Sequence, residues 1–174
     1  MNEASLAPAR LLVFRVGNLA CAAEVDQVRE ILPRLPTTRI PGAPPVVAGL
    51  VNVRGTLVTV VEGWRALGQS PPPPTPTAAL PAGAAQENGG GERQGSTLIL
   101  DLGKGREGEE GHKLVGLTVD EVTDMLAAGD ARLEDRHGLA GVDPTLVRAV
   151  GRRGDGQVFV VLDVAALLGP IVTT

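Results

Sequence analysis

The chain repeats itself, and that duplication constrains its fold more than any other feature. Val25-Asp-Gln-Val-Arg-Glu-Ile-Leu32 and Val119-Asp-Glu-Val-Thr-Asp-Met-Leu126 share the pattern V-D-x-V-x-acid-apolar-L. Further on, Gly55-TLVTVV-Glu62 followed by Ala66-Leu-Gly68 matches Gly156-QVFVVL-Asp163 followed by Leu167-Leu-Gly169. The pairs Gly55 and Gly156, Glu62 and Asp163, and Gly68 and Gly169 all lie 101 residues apart. Two matches in the same order imply a duplicated structural unit. In 174 residues this gives two small subdomains sharing a core, with no room for a two-domain dehydrogenase.

Between the two copies, residues 69–95 read QSPPPPTPTAALPAGAAQENGGGERQG, rich in proline and glycine and almost devoid of large apolar side chains. Such a segment cannot bury enough surface to offset its ordering entropy, so it is expected to be a flexible linker. A PxxP docking ligand is the alternative. Within the first copy, RLLVFRV and LACAAEV flank Gly17-Asn18, which predicts a tight hairpin. VREIL continues as a third strand, and the prolines between Pro36 and Pro45 hold the chain extended or looped. VAGLVNV and TLVTVVE form a last hairpin at Arg54-Gly55, and WRALG adds about one helical turn. The second copy repeats the plan with STLILDL, KLVGLTV, EVTDML, LVRAVGR and QVFVVLD, then a short VAALLG helix. Five short strands per copy predict a mostly β protein built of two small closed barrels. The expected boundaries are one domain over 8–174, with barrels at 10–68 and 96–170.

Three function classes are weakened by the same reading. Gly103, Gly105 and Gly108 have the G-x-G-x-x-G spacing of dinucleotide cradles, which require a helix starting at the glycines. Only EEGH separates Gly108 from the strand at Lys113, so Leu98–Leu102 and Lys113–Val119 are expected to pair as an antiparallel hairpin. His112 and His137 sit in charged or glycine-rich segments, and no nucleophile or metal motif accompanies them. Lone Cys21 falls in an apolar strand and reads as a small buried hydrophobe, so no disulfide, metal site or cofactor is expected. A net charge of −4 without a basic cluster argues against nucleic acid. No leader or membrane-length apolar run is present, so a cytoplasmic chain without direct membrane insertion is expected.

Charge placement singles out GLVNVRGTLVTVVE, residues 49–62. Leu50, Asn52 and Arg54 are expected on one face of a strand, Val51 and Val53 on the other. Beside Gly55, Arg54 is expected at a hairpin tip, either presenting a free guanidinium to a partner or pairing with a nearby carboxylate such as Glu30.

At these residues the chain resembles the CheW family, the adaptors of bacterial chemosensory arrays. The resemblance is carried by LLVFRVGNLACAAEVDQVREIL at 11–32, IPGAPPVVAGLVNVRGTLVTVVE at 40–62, KLVGLTVDEVTDML at 113–126 and VFVVLDVAALL at 158–168. Its most specific part is the run from Pro41 to Gly55. The resemblance implies two SH3-like five-stranded β-barrels sharing a core, and a non-enzymatic scaffold. It implies as partners the cytoplasmic tip of a methyl-accepting chemoreceptor and the regulatory domain of the histidine kinase CheA. The protein-binding residues it implies are Arg54 and Glu30, with Val28, Gly49, Asn52 and Gly55 around them. A pilus-linked signalling pathway is an alternative setting, and a small-ligand or oligonucleotide-binding barrel an alternative function. Where the family carries an Asp followed by Leu and a basic residue, this chain has Glu62-Gly63-Trp64-Arg65, and Gly63 is expected to loosen the short helix.

Overall fold

The computed structural model describes residues 10–71, 95–104, 112–127, 129–134 and 142–172. The first hairpin joins β1 (Arg10–Val16) to β2 (Leu19–Glu24), and a 3-10 turn leads into β3 (Val28–Pro33). β4 (Val47–Val53) and β5 (Thr56–Glu62) form the second hairpin, capped by α1 (Gly63–Ala66). Then come β6 (Ser96–Lys104), β7 (His112–Val119), β8 (Glu121–Ala127), β9 (Ala131–Glu134), β10 (Val147–Arg153), β11 (Val158–Leu162) and α2 (Val164–Val172). No helix among the described residues is long and apolar enough to cross a membrane.

The chain is mostly β, with the strands placed as the sequence indicates, but they assemble differently. One sheet runs β8-β1-β2-β11-β10-β9 and the other β3-β6-β7-β5-β4. Each sheet therefore takes its first two strands from one copy of the repeat and the rest from the other. This corrects the expectation that residues 10–68 and 96–170 each close a barrel. The exchange is reciprocal to the residue. β2 and β11 run parallel with Cys21 opposite Val160, and β7 and β5 run parallel with Val115 opposite Thr59.

Three apolar clusters explain why the exchange is favourable. Leu11, Val13, Ala22, Leu126, Phe159 and Val161 fill one barrel, while Val51, Val58, Val60 and Ile99 fill the other. The largest cluster lies between the barrels, where Leu12, Phe14, Val16 and Cys21 meet Leu98, Leu100, Val115 and Leu117. β1 sits between a barrel interior and this shared core, so its LLVF run is buried on both faces. That is why the run does not alternate with polar residues. Each fully buried Leu, Val or Phe contributes about 1.5–3 kcal/mol, so the shared core holds most of the apolar free energy joining the two sheets.

The barrels close by the chain that follows the third strand of each copy. β9 pairs with β10 through four register positions, Ala131 to Glu134. Its counterpart after β3 is one bridge, Thr38 with Leu50. Prolines at 36, 41, 44 and 45 withhold ladder N–H groups there, so a full strand cannot form. β9 is the one strand beyond the five predicted per copy. His112 also begins β7 and is not in a loop. Of the expected linker, residues 72–94 lie outside the described residues, as do His137 and residues 105–111 with Gly105 and Gly108. The strands that flank those residues pair antiparallel, with Leu98 opposite Leu117, where a dinucleotide cradle needs a strand followed by a helix.

Gly63 does not loosen α1. It is buried as the first residue of the helix, and a Cβ there would stand 2.1 Å from the Thr118 carbonyl oxygen. Its N–H donates to Thr118 Oγ1 at 3.1 Å, and the Glu62 carboxylate pairs with Arg34 at 2.9 Å instead of capping the helix. Asp163 does cap α2, accepting the Ala166 N–H at 3.0 Å.

Reciprocal exchange makes each half incomplete. Fragments 1–71 and 95–174 are expected to show no cooperative thermal transition alone and to regain one when mixed, followed by circular dichroism. A cooperative melt from either fragment by itself would contradict this topology.

Candidate functional site

β4 ends at Val53 and β5 starts at Thr56, leaving Arg54 and Gly55 as a two-residue loop. Both have positive φ, 51° and 86°, the requirement of a type I′ hairpin whose twist matches the strands. Gly55 meets it at no steric cost. Arg54 is the one non-glycine residue at positive φ among those described, a strain of roughly 1–2 kcal/mol. Asn52 offsets part of it, since its Oδ1 accepts the Gly55 N–H at 2.7 Å.

Because Arg54 lies in the turn, strand alternation does not govern its side chain. It does not stand on the face of Leu50 and Asn52. Its Nη2 donates to Glu30 Oε1 at 2.7 Å. Glu30 lies opposite Ile99 in β6, and Ile99 fills the barrel interior with Val51, so the arginine folds back over the mouth of the barrel. The Arg54 side chain stays 81% exposed, while that of Glu30 is 24% exposed. One side of the pair is thus anchored, and the other faces solvent. β3 and β4 are the two ends of their sheet, so the contact also joins its edges.

The remaining candidate residues serve different ends. Gly49 is buried where β4 bulges, and a Cβ would fall 2.4 Å from the Thr38 carbonyl oxygen, so glycine permits the bridge that closes the barrel. Val28 is half-buried against the shared core, on the other side of a register shift from Glu30. Asn52 is exposed opposite Leu57, itself 68% exposed.

A second pair of the same kind was missed. Arg153 Nη2 donates to Asp124 Oδ2 at 2.6 Å, joining the end of β10 to β8. The repeated octapeptide aligns Glu30 with Asp124 and Ile31 with Met125, and Gly55 aligns with Gly156. The repeat thus marks the carboxylate only: at the 101-residue offset Arg153 aligns with Asn52, and Arg54 with Asp155. Here the exposure is reversed, with the arginine 26% and the carboxylate 40% exposed. The Met125 N–H and the Arg153 guanidinium hold the Asp124 carboxyl below the usual carboxylate range. Burial pushes the Cys21 thiol far above its ordinary range, leaving it inert at neutral pH. Among the described residues, no group of three His, Cys, Asp or Glu side chains is placed to hold a metal ion.

A hairpin arginine anchored over a barrel mouth, on a fold of two exchanged barrels, meets its decisive comparison in the CheW-like domain model, which matches residues 10–171. The chain belongs to the CheW family. It is 29% identical over 130 residues to the chemotaxis protein CheW of Rhizobium meliloti, covering 75% of this chain and 68% of that one. A probable chemotaxis protein CheW of Rhizobium etli is 26% identical over 120 residues, covering 69% and 61%. The scaffolding protein TtCheW from Thermoanaerobacter tengcongensis has a crystal structure with the same fold, at TM-score 0.68 and 18% identity, covering 92% and 88%. A CheW-family chain is a chemotaxis adaptor, not an enzyme.

Two predictions follow from these pairs. Arg54→Asn keeps a residue tolerant of positive φ and removes the guanidinium, so the melting temperature should stay within about 2 °C or rise, because a surface ion pair contributes only about 0–1 kcal/mol. The depressed Asp124 carboxyl stabilises the fold above the ordinary carboxylate range, near 3.9, and that contribution fades as pH falls through its lower folded value. Asp124→Asn should therefore flatten the acid side of a melting-temperature profile, and an unchanged slope would show that the pair carries none of the acid sensitivity.

Proposed function

We propose that this CheW-family chain works in the cytoplasm as the link between the tip of a methyl-accepting chemoreceptor and the regulatory domain of a CheA-type histidine kinase. The observation that carries the reading is Arg54: a strained backbone holds it at a hairpin tip, and Glu30 orients it without covering it. An arginine pre-positioned in this way loses little rotamer freedom on binding, which is the property of an interface anchor. Exposed Leu57 on the neighbouring strand supplies apolar surface for a partner to bury. Asn52 and Gly55 support the loop, and Gly49 and Val28 support the barrel beneath it.

The oligonucleotide alternative lacks its chemical basis. Stacking requires accessible aromatic faces, and Phe14 and Phe159 are 1% and 2% exposed. Trp64 is packed against the shared core with the Arg65 guanidinium over its ring.

The test is a binding titration with the purified kinase regulatory domain and, separately, with a receptor cytoplasmic fragment. Arg54→Ala is expected to weaken at least one of the two interactions about tenfold or more while the circular-dichroism melt moves by no more than about 3 °C. Absence of binding to both partners at high micromolar concentration would refute the proposal. A large loss of stability in Arg54→Ala would make the pair with Glu30 a fold element instead.

A further inference from the structure

The barrel that does not carry Arg54 contains a like-charge arrangement that meets no opposite charge among the described residues. β9 and β10 are antiparallel, and their register sets Arg132 directly opposite Arg152. Directly opposed residues hold their Cβ atoms about 4.5–5.5 Å apart, and like charges there are destabilising. Both arginines are exposed, and neither makes an ion pair or hydrogen bond among the described residues. The adjacent Arg153, by contrast, meets a carboxylate, as do Arg15, Arg29, Arg34, Arg54 and Arg148 elsewhere in the fold.

The opposed pair lines a shallow cleft of about 530 Å³ beside the β10–β11 turn. Two acids share the cleft without neutralising the pair. Asp130 accepts the Ala127 N–H at 2.9 Å, and Glu134 stands two positions beyond Arg132 on β9 with no ion pair among the described residues. Arg153 is already held by Asp124. Across β10 from Arg132, Arg152 faces Val158, which is 38% exposed for so large an apolar side chain. One face thus presents two uncompensated guanidiniums and then an open apolar side chain.

We propose that Arg132 and Arg152 form a docking site for an acidic protein segment, which sets a carboxylate between the two guanidiniums and an apolar side chain on Val158. Two planar guanidinium forks are suited to one carboxylate, which removes their mutual repulsion as it binds. A densely anionic surface, such as a phospholipid headgroup layer or a polyphosphate, fits less well, because Asp130 and Glu134 would face it. The site lies on the sheet opposite to that of Arg54 and does not rest on the receptor and kinase reading.

The probe is a fluorescein-labelled decapeptide of alternating glutamate and valine, followed by anisotropy with the full chain at low salt. Its lysine–valine counterpart, inositol hexakisphosphate and phosphatidylglycerol vesicles serve as comparisons. Saturable binding of the acidic peptide is expected, weakened about tenfold or more by Arg132→Glu or Arg152→Glu and by raising the salt to 0.5 M. Arg39→Glu, which alters net charge equally on another exposed segment, should change it less than twofold. Arg152→Gln should also raise the melting temperature of the unliganded protein by about 1–3 °C, since it removes the like-charge pair. Equal affinity of wild type and Arg152→Glu, equal weakening by Arg39→Glu, or a fall in the Arg152→Gln melting temperature would overturn the proposal. So would binding of the hexakisphosphate or the vesicles through this pair in preference to the peptide.

Discussion

The apolar seam between the two barrels is the constraint on which the rest of the molecule depends. Leu12, Phe14 and Val16 from the first copy of the repeat pack there against Leu98, Leu100 and Leu117 from the second. Neither copy could bury these side chains alone, because each supplies its first two strands to one sheet and its remaining strands, three from the first copy and four from the second, to the other. A small barrel has a high ratio of surface to volume and a marginal core. Exchanging strands lets two such barrels share a third, larger core. With only Phe14, Trp64 and Phe159 as aromatics, the seam is built from Val, Leu and Ala, which pack as β-branched and small residues do on a pleated face.

Once the seam fixes the two sheets, their edges become the places where function can be written. An open edge strand is a hazard, and here each is drawn to its opposite by local devices: β9 and the Thr38 bridge in the backbone, Arg153–Asp124 and Arg54–Glu30 in side chains. Both barrels pair the repeated acid, Glu30 or Asp124, with an arginine, but the two arginines come from non-equivalent positions and the pairs expose different partners. In one barrel the arginine faces solvent and the carboxylate is shielded; in the other the arginine is the more covered partner. The strained φ of Arg54 is consistent with selection for its position, since glycine or asparagine would satisfy the turn with less strain.

Much of this was legible in the chain because its signals are local. The hairpins at Gly17-Asn18 and Arg54-Gly55 follow from turn chemistry, and Gly17 indeed stands at φ 60°. The antiparallel pairing of β6 with β7 follows from a connection too short for a crossover. Other features were illegible because they depend on what comes near in space. Gly63 looked like a helix breaker, yet the Thr118 carbonyl leaves room for no other residue there. Strand alternation places Arg54 on the face of Asn52, but alternation ends where the turn begins. Asp124 lies in the repeated octapeptide, but nothing along the chain joins it to Arg153 on β10.

The sequence by itself determined the strands, the turns, the duplication and the residues that resemble a CheW adaptor, because periodicity, turn propensity and internal repetition are carried by neighbours along the chain. The tertiary structure alone decided which strands belong to which barrel. A duplicated sequence is equally compatible with two separate barrels and with two that trade strands, since both satisfy the same local preferences. What separates them is the apolar surface left over when each copy closes on itself, and that quantity exists only when both copies are folded together.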